Sequence, residues 1–298
     1  MTRILPRVLQ WSPSAKHIRR VDEGQPRILG RRDTAALIAL LDRDPVANIF
    51  TRSQVDLHRS AVPDGFAHVL GVDGEEGLLS ACWVGANMSP TNMSEEQAQE
   101  YALMALSTRQ RFASVFGPAR SVLAMHEVLA TGPQSIFDVR GNQPLMEMRS
   151  NPQGIVRRPL RPAKPSEFDK VLPASAAMFE EELGYSPLDN GGSFYRGRVR
   201  QLIRQGHTLI DMDELGNIVF KVDLGTVTDQ VAQIQGVWIN PMYRGHALAA
   251  GYMAATVDYA LQHAPIVSLY VNDYNHAAVR TYEKVGFKQV GTFATILF

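Results

Sequence analysis

One cysteine, Cys82, stands among the 298 residues. An intrachain disulfide is therefore impossible, and a multi-cysteine metal site is excluded. Its surroundings, "GLLSACWVG", read as the place of a small buried hydrophobe and not of a nucleophile. Net charge is also missing, with 30 Lys+Arg against 30 Asp+Glu. Nothing in the composition supports a general electrostatic grip on nucleic acid or on an anionic membrane. Any anion site must be local. No window approaches the roughly 18 consecutive apolar residues of a membrane span. The opening "MTRILPRVLQW" is interrupted by Pro6 and Arg7 before an apolar signal region forms. The eight histidines show no H-x-x-x-H spacing, so no metal centre is expected. A reducing cytoplasm fits this pattern.

What is present describes a globular protein with a full core, 45% hydrophobic and 20% charged. The length suggests two domains. Pro152, Gly154, Pro159, Pro162 and Pro165 crowd one short stretch, which breaks helix and central strand alike. That places a boundary near Asn151, giving domains 1–150 and 151–298, with the second domain's first strand at Ile155 to Leu160. A helix from Ser166 to about Glu182 follows, then a helix over "SFYRGRVRQLIRQ" closed by Gly206. Three strands come next, "HTLIDMD", "NIVFKVDLGTV" and "VAQIQGVWI". A helix from about Ala247, the strand "PIVSLYVN", the helix "HAAVRTYEKV" and the strand "FKQVGTFATILF" complete the order βααβββαβαβ. The fold class is α/β in the α+β sense, a mixed sheet flanked by helices.

The first half reads as a weaker copy. "TAALIALLDRDPVANIF" is a helix pair, "GLLSACWVGAN" a strand, "SEEQAQEYALMALS" a helix, "FASVFGP" a strand and "ARSVLAMHEVL" a helix. Setting "SVFGPARSVLAMHEVL" beside "SLYVNDYNHAAVRTYEKV" gives the same strand–turn–helix layout, which points to duplication of a whole domain. Residues 1 to about 30 read as a loose arm or an extra strand.

The junction "VWINPMYRGHALAAGYMAATVDYA" joins a strand to a helix through the basic turn Tyr243-Arg244-Gly245-His246. The first N–H groups of a helix lack partners, and the macrodipole adds about half a positive charge there. Small residues at Gly245, Ala247 and Ala249 keep that end open to a pyrophosphate or similar anion, with Arg244 and His246 beside it. A capped junction whose alanines favour helix is the alternative. A dinucleotide turn fits less well, since it requires G-x-G-x-x-G after a first parallel strand, and the Walker lysine is absent too.

A second motif lies downstream, with Asn272 and Asn275 at a strand end, Ala278 and Tyr282 on the next helix, and Gly286-Phe287 closing it. Together with the basic turn it resembles the GNAT superfamily of N-acetyltransferases. In that family R/Q-x-x-G-x-G/A follows the fourth strand, and N-x-x-A, a helical Tyr and Gly-Phe come later. The resemblance covers about Ile155 to Phe298. The loop departs from the pattern, since Ala247 stands where the family has Gly. A methyl group there is tolerated at negative φ and costly at positive φ.

The resemblance implies acetyl-CoA as co-substrate and an amine, small molecule or peptide, as acceptor. Main-chain groups of Val237, Trp238 and Ile239 would pair with the pantetheine arm. Backbone N–H groups of Gly245, His246, Ala247, Leu248 and Ala249 would take the pyrophosphate beside the basic Arg244, and Asn275, with Ala278 on the same helix start, would bond the arm near the thiol. Tyr282 would be the general acid, its ordinary pKa of ~10 keeping it protonated at neutral pH. Its structural alternative is a core stripe with Ala278 and Val285. No general base is assigned: Glu180, Glu181 and Glu182 end the first helix, on the side where the family builds its acceptor site, and Asp223, Gln233 and Gln235 lie on central strands. In the first half, "GANMSPTNMSEEQ" holds the place of the basic turn with Glu95 and Glu96, and His126 falls near the place of Tyr282. This implies a degenerate GNAT-like module of the tandem actinobacterial type. A mycothiol-synthase-like tandem acetyltransferase and a non-catalytic acetyl-CoA-binding or scaffold protein are the competing readings.

Overall fold

The computed structural model describes residues 24–108 and 110–298. The signal-region reading and most of the N-terminal arm lie outside them. In chain order the first half contributes β1 (Arg27–Ile28), α1 (Thr34–Leu41), α2 (Ile49–His58), β2 (His68–Gly74), β3 (Gly77–Val84) and β4 (Asn87–Thr91). It continues with α3 (Glu95–Ser107), β5 (Ser114–Pro118), α4 (Ala119–Leu129) and β6 (Asp138–Met148). The second half contributes β7 (Arg161–Pro162), α5 (Phe168–Leu183), α6 (Ser193–Arg204), β8 (Thr208–Met212), β9 (Ile218–Val227) and β10 (Val231–Ile239). It ends with α7 (Ala249–Ala260), β11 (Ile266–Tyr270), α8 (His276–Val285) and β12 (Lys288–Leu297).

The strands join into one mixed sheet in the order β1-β2-β3-β4-β5-β12-β6-β11-β10-β9-β8-β7. That order has a hidden symmetry. Each half lays out its first five strands in sequence, and its sixth lies against the fifth strand of the other half. Thus β12 pairs antiparallel with β5, and β6 pairs antiparallel with β11. The two exchanged strands pair with each other at the centre. Both halves also place their fourth and fifth strands parallel, β4 with β5 and β10 with β11. The proline-rich linker near Asn151 separates β6 from β7 along the chain, while in space β6 belongs among the strands of the second half. An apolar cluster of Val46, Ile49, Leu145, Val231, Ile266 and Phe293 ties the halves together.

Several sequence expectations shift here. Residues 155–160 form no strand. Pro159 and Pro162 lack the N–H a ladder needs, and pairing is confined to Arg161–Pro162 against Ile210 and Leu209. The segment instead lies along α7, where the Arg158 N–H donates to the Gly251 carbonyl at 3.2 Å and Arg157 pairs with Asp258 at 2.6 Å. In the first half, "NMSPT" of the presumed turn is strand β4, and α3 begins at a Ser94–Gln97 capping box. Cys82 is fully buried on β3, and desolvation pushes its thiol up to about 12.

The strands of the second half sort their side chains by the alternation of a pleated sheet. Phe220, Val222 and Leu224 of β9 pack with Tyr252 and Met253 of α7. The interleaved Lys221, Asp223 and Gly225 turn toward the other face, where α5 and α6 pack with Trp238 of β10. One face of the sheet is therefore apolar under α7 and α8. The opposite face carries a polar strip under α5 and α6.

Candidate active site

The site begins where two parallel strands part. β10 and β11 pair at Val231↔Ile266, Ala232↔Val267 and Gln233↔Ser268, and the register ends there. Beyond that point β10 follows β9 out to Ile239↔Phe220, whereas β11 follows β6 out to Tyr270↔Leu145. A bulge drives the divergence, with register shifts in β10 after Gln233 and again between Gln235 and Trp238. Gly236 lies inside it at φ +58°. A Cβ at Gly236 would meet Asp223, Lys221 and the Met178 methyl at 3.1–3.2 Å, so glycine is needed both for the backbone angle and for space. The parted strands leave the β10 edge without a neighbouring strand.

A cavity of about 790 Å³ passes through this gap. On the α7–α8 side its walls include Ala249, Met253, Ala278 and Tyr282. On the α5–α6 side they include Met178, Glu181, Glu182, Tyr195, Arg198 and Asp223. Between them run Val237, Trp238 and Ile239 of β10 and Asn272 and Asn275 after β11. Of the residues expected from sequence, Val237, Trp238, Ile239, Arg244, Ala249, Asn275, Ala278 and Tyr282 all line this one cavity. Gly245, His246, Ala247 and Leu248 form the turn that leads into α7.

That turn has an unusual backbone. Arg244 has φ −73°, Gly245 +82°, Ala247 +54° and Leu248 −78°, and His246 is not among the positive-φ residues. Arg244 is extended, and the left-handed Ala247 followed by the αR Leu248 is the pairing that turns adjacent N–H groups toward one side, a nest suited to an anion. Ala247 is one of three non-glycine residues with positive φ among the described residues. Its left-handed angle is also why α7 begins at Ala249 and not at Ala247. The guanidinium of Arg244 donates to both carboxylate oxygens of Glu181, at 2.9 and 2.7 Å, and to the Ile239 carbonyl at 2.9 Å. Trp238 Nε1 reaches the same carboxylate at 3.2 Å.

Tyr282 is 7% exposed, its ring edge-on to Phe287 in the apolar cluster. Its hydroxyl has no hydrogen-bond partner among the described residues and is not among the fully buried unpartnered atoms. The ring thus belongs to the core stripe while the hydroxyl faces the cavity. Desolvation first, and then the Glu182 charge, push its pKa up to about 12. Asn275 spends its side-chain oxygen on the Ala278 N–H at 3.2 Å, capping α8. Its Nδ2 is the group left for the cavity.

The first half enters the site through β6, which sequence reasoning missed. Gln143 lines the cavity and donates to Asn272 Oδ1 at 2.9 Å, while Thr295 of β12 donates to Gln143 at 2.7 Å. Arg140, 9% exposed, holds Glu182 through its carboxylate at 2.8 Å and its carbonyl at 3.0 Å. In the first half's own copy Pro90 packs against Gly117, close enough that a Cβ there would meet its ring at 3.3 Å. Glu95 at the start of α3 is paired with Arg120 at 2.7 Å. His126 is half-buried on α4.

Comparison with known proteins follows the same division. Residues 176–287 match the Acetyltransferase (GNAT) family, and residues 67–171 match a domain of unknown function, DUF4081. No curated protein matches the chain in sequence. Among solved structures, a GNAT-family acetyltransferase from Colwellia psychrerythraea is 12% identical with a TM-score of 0.56, covering 92% of this chain and 99% of its own. A GCN5-related N-acetyltransferase from Sphaerobacter thermophilus is 16% identical with a TM-score of 0.57, covering 91% and 94%. A tandem GNAT protein from the clavulanic acid biosynthesis pathway is 16% identical with a TM-score of 0.51, covering 91% and 97%. The parted strands, the turn before α7 and the N-x-x-A helix thus lie within residues 176–287, the segment that matches the Acetyltransferase (GNAT) family.

Proposed function

We propose that the protein is an acetyl-CoA-dependent N-acyltransferase whose donor and acceptor meet in the gap between β10 and β11. The observation that carries this reading is the parting of two parallel strands at Gln233↔Ser268. It leaves a strand edge and the Tyr282 hydroxyl on one continuous cavity, which Arg244 and Ala249 reach from the two ends of the turn before α7. Acetyl-CoA supplies the acyl group as an activated thioester. The residues present fit it. The N–H groups from Gly245 to Ala249 at the start of α7 would hold its pyrophosphate, and the free edge of β10 at Val237–Ile239 would take its extended arm as an added strand. A β10 N–H polarises the carbonyl under attack. Tyr282 holds its proton far above neutral pH and delivers it to the departing sulfur. The acceptor amine enters from the α5–α6 face, opposite the nest. Arg140 and Gln143 fix the far wall from the first half, which makes that half part of the acceptor site.

A non-catalytic acetyl-CoA-binding protein is the second reading, and the left-handed Ala247 favours it by straining the nest. The cavity-facing hydroxyl of Tyr282 counts against it. Release of free thiol from acetyl-CoA, followed across a panel of amines, separates the two. Amine-dependent release supports transfer, and release no faster than hydrolysis for every amine sinks it.

A further inference from the structure

The acids that line the cavity are Glu181, Glu182 and Asp223, and each is answered by a base. Glu181 is held by Arg244, Glu182 by Arg140 and Asp223 by Lys221. Asp223 is further satisfied by the Thr208 hydroxyl at 2.7 Å. Arg198 breaks the pattern. It reaches from α6 into the α5–α6 side of the cavity, half-buried, and donates one Nη2 bond to the Gly225 carbonyl. Among the described residues its guanidinium has no carboxylate partner, and Asp223 acts on it only at longer range. Burial lowers its pKa, the direction expected of a cation removed from water without a counter-charge. Most of its five N–H donors are left for a ligand.

Its carbonyl partner belongs to strand β9. A Cβ at Gly225 would overlap the Gln235 side chain, so that residue must be glycine for Gln235 to lie across β9. Arg198 is anchored by one main-chain bond to a carbonyl of β9 and lines the cavity. Tyr282 lines the same cavity from the opposite face of the sheet.

We infer that Arg198 receives a carboxylate of the acceptor, so that the acceptor is a small molecule bearing both an amine and a carboxylate, as a free amino acid does. A guanidinium fork matches a carboxylate in two parallel bonds. One carboxylate balances the single unanswered charge of the lining, whereas a phosphate dianion would leave an excess negative charge in a buried site. The inference rests on the proposed acyl transfer.

The test measures thiol release from acetyl-CoA with free L-amino acids, their carboxamides and phosphoethanolamine, in the full-length protein and in Arg198→Gln and Arg198→Lys. At least one amino acid should be acetylated ten times faster than its carboxamide. Arg198→Gln should raise KM for that acid roughly 10- to 100-fold, the loss expected for a charge-assisted pair, and leave the amide unchanged. Arg198→Lys should keep part of the preference, and the thermal shift given by acetyl-CoA should be the same in all three proteins. Acids and amides used equally, a preference that survives Arg198→Gln, a preference for phosphoethanolamine, or acetyl-CoA binding with no amino acid accepted would each overturn the inference. Failure of acetyl-CoA to bind at all would remove the acyl-transfer reading first and this inference with it.

Discussion

Arg140 Nη1 donates to Glu182 Oε1 at 2.8 Å, and through that bond the exchanged strand β6 grips the last turn of α5. A second bond from Arg140 to the Glu182 carbonyl and a third to Asp138 complete the grip. Arg140 is nearly buried while Glu182 is half-exposed, so the pair is screened on one side only. Arg140→Ala should cost ~1–3 kcal/mol, the range for hydrogen bonds to charged groups with a discount for solvent. It should also lower turnover, because α5 lines the wall of the cavity assigned to the proposed acceptor. Urea unfolding and acyl-transfer assays read the two effects. Wild-type stability with wild-type turnover would mean that the first half contributes nothing to the site.

Ala247 is the strained point of the proposed anion-binding loop. A left-handed L-residue costs roughly 1–2 kcal/mol, partly offset in a glycine variant by the greater freedom of the unfolded chain. Ala247→Gly should therefore raise stability by about 0.5–1 kcal/mol and tighten acetyl-CoA binding. Thermal melts of the free and ligand-saturated variant check both. A lower Tm in the variant would contradict the strained angle.

Tyr282→Phe should reduce kcat about 100-fold, the lower range for loss of a general acid, with little change in acetyl-CoA affinity. The pH profile gives a second reading. Burial raises the tyrosine's pKa to about 12, so the acid stays protonated until well above its ordinary value near 10. The wild-type alkaline limit due to this group should lie above pH 11 and vanish in the phenylalanine variant. Its raised pKa also stabilises the fold below pH 10, and that contribution is lost as pH rises from about 10 to 12. Unchanged turnover in Tyr282→Phe would return the residue to a purely structural role.

Arg244→Glu should place two carboxylates, the new one and Glu181, at the mouth of the nest. Like charges and the loss of a basic group beside the turn should weaken acetyl-CoA about tenfold or more at low salt. Titration calorimetry at two ionic strengths checks the size and the salt dependence. Wild-type affinity would move the anion site elsewhere.

Local signals carried much of this architecture and long-range ones did not. The amphipathic period of "HAAVRTYEKV" with Asn275 before it and Gly286 after it marks α8 from His276 to Val285, where it is found. The alternation in β9 and β10 is equally readable. Strand β6, "DVRGNQPLMEM", carries Gly141 and Pro144 and has little β propensity of its own; its strand character comes from β11 and β12 on either side. Tyr282 and Asn275 were legible because their spacing is local. Arg140 and Arg198 were not. Arg198 shares its helix with Arg196, Arg200 and Arg204, and spacing alone gives no reason to single it out. Only the fold shows that Arg200 lies over the Phe168 ring at 4.1 Å while Arg198 enters the cavity. The bulge at Gly236, too, comes from the meeting of three strands and not from a turn motif.

The most direct measurement is a thermal melt of the full-length protein with and without excess acetyl-CoA, since it needs no acceptor. Ligand at about 100 times Kd adds ~2.7 kcal/mol to the native state, which should raise Tm by a few degrees in a chain of this size. A clear rise that shrinks in Arg244→Glu is the predicted result. No rise at millimolar ligand would contradict the assignment of the β10–β11 gap as an acetyl-CoA site.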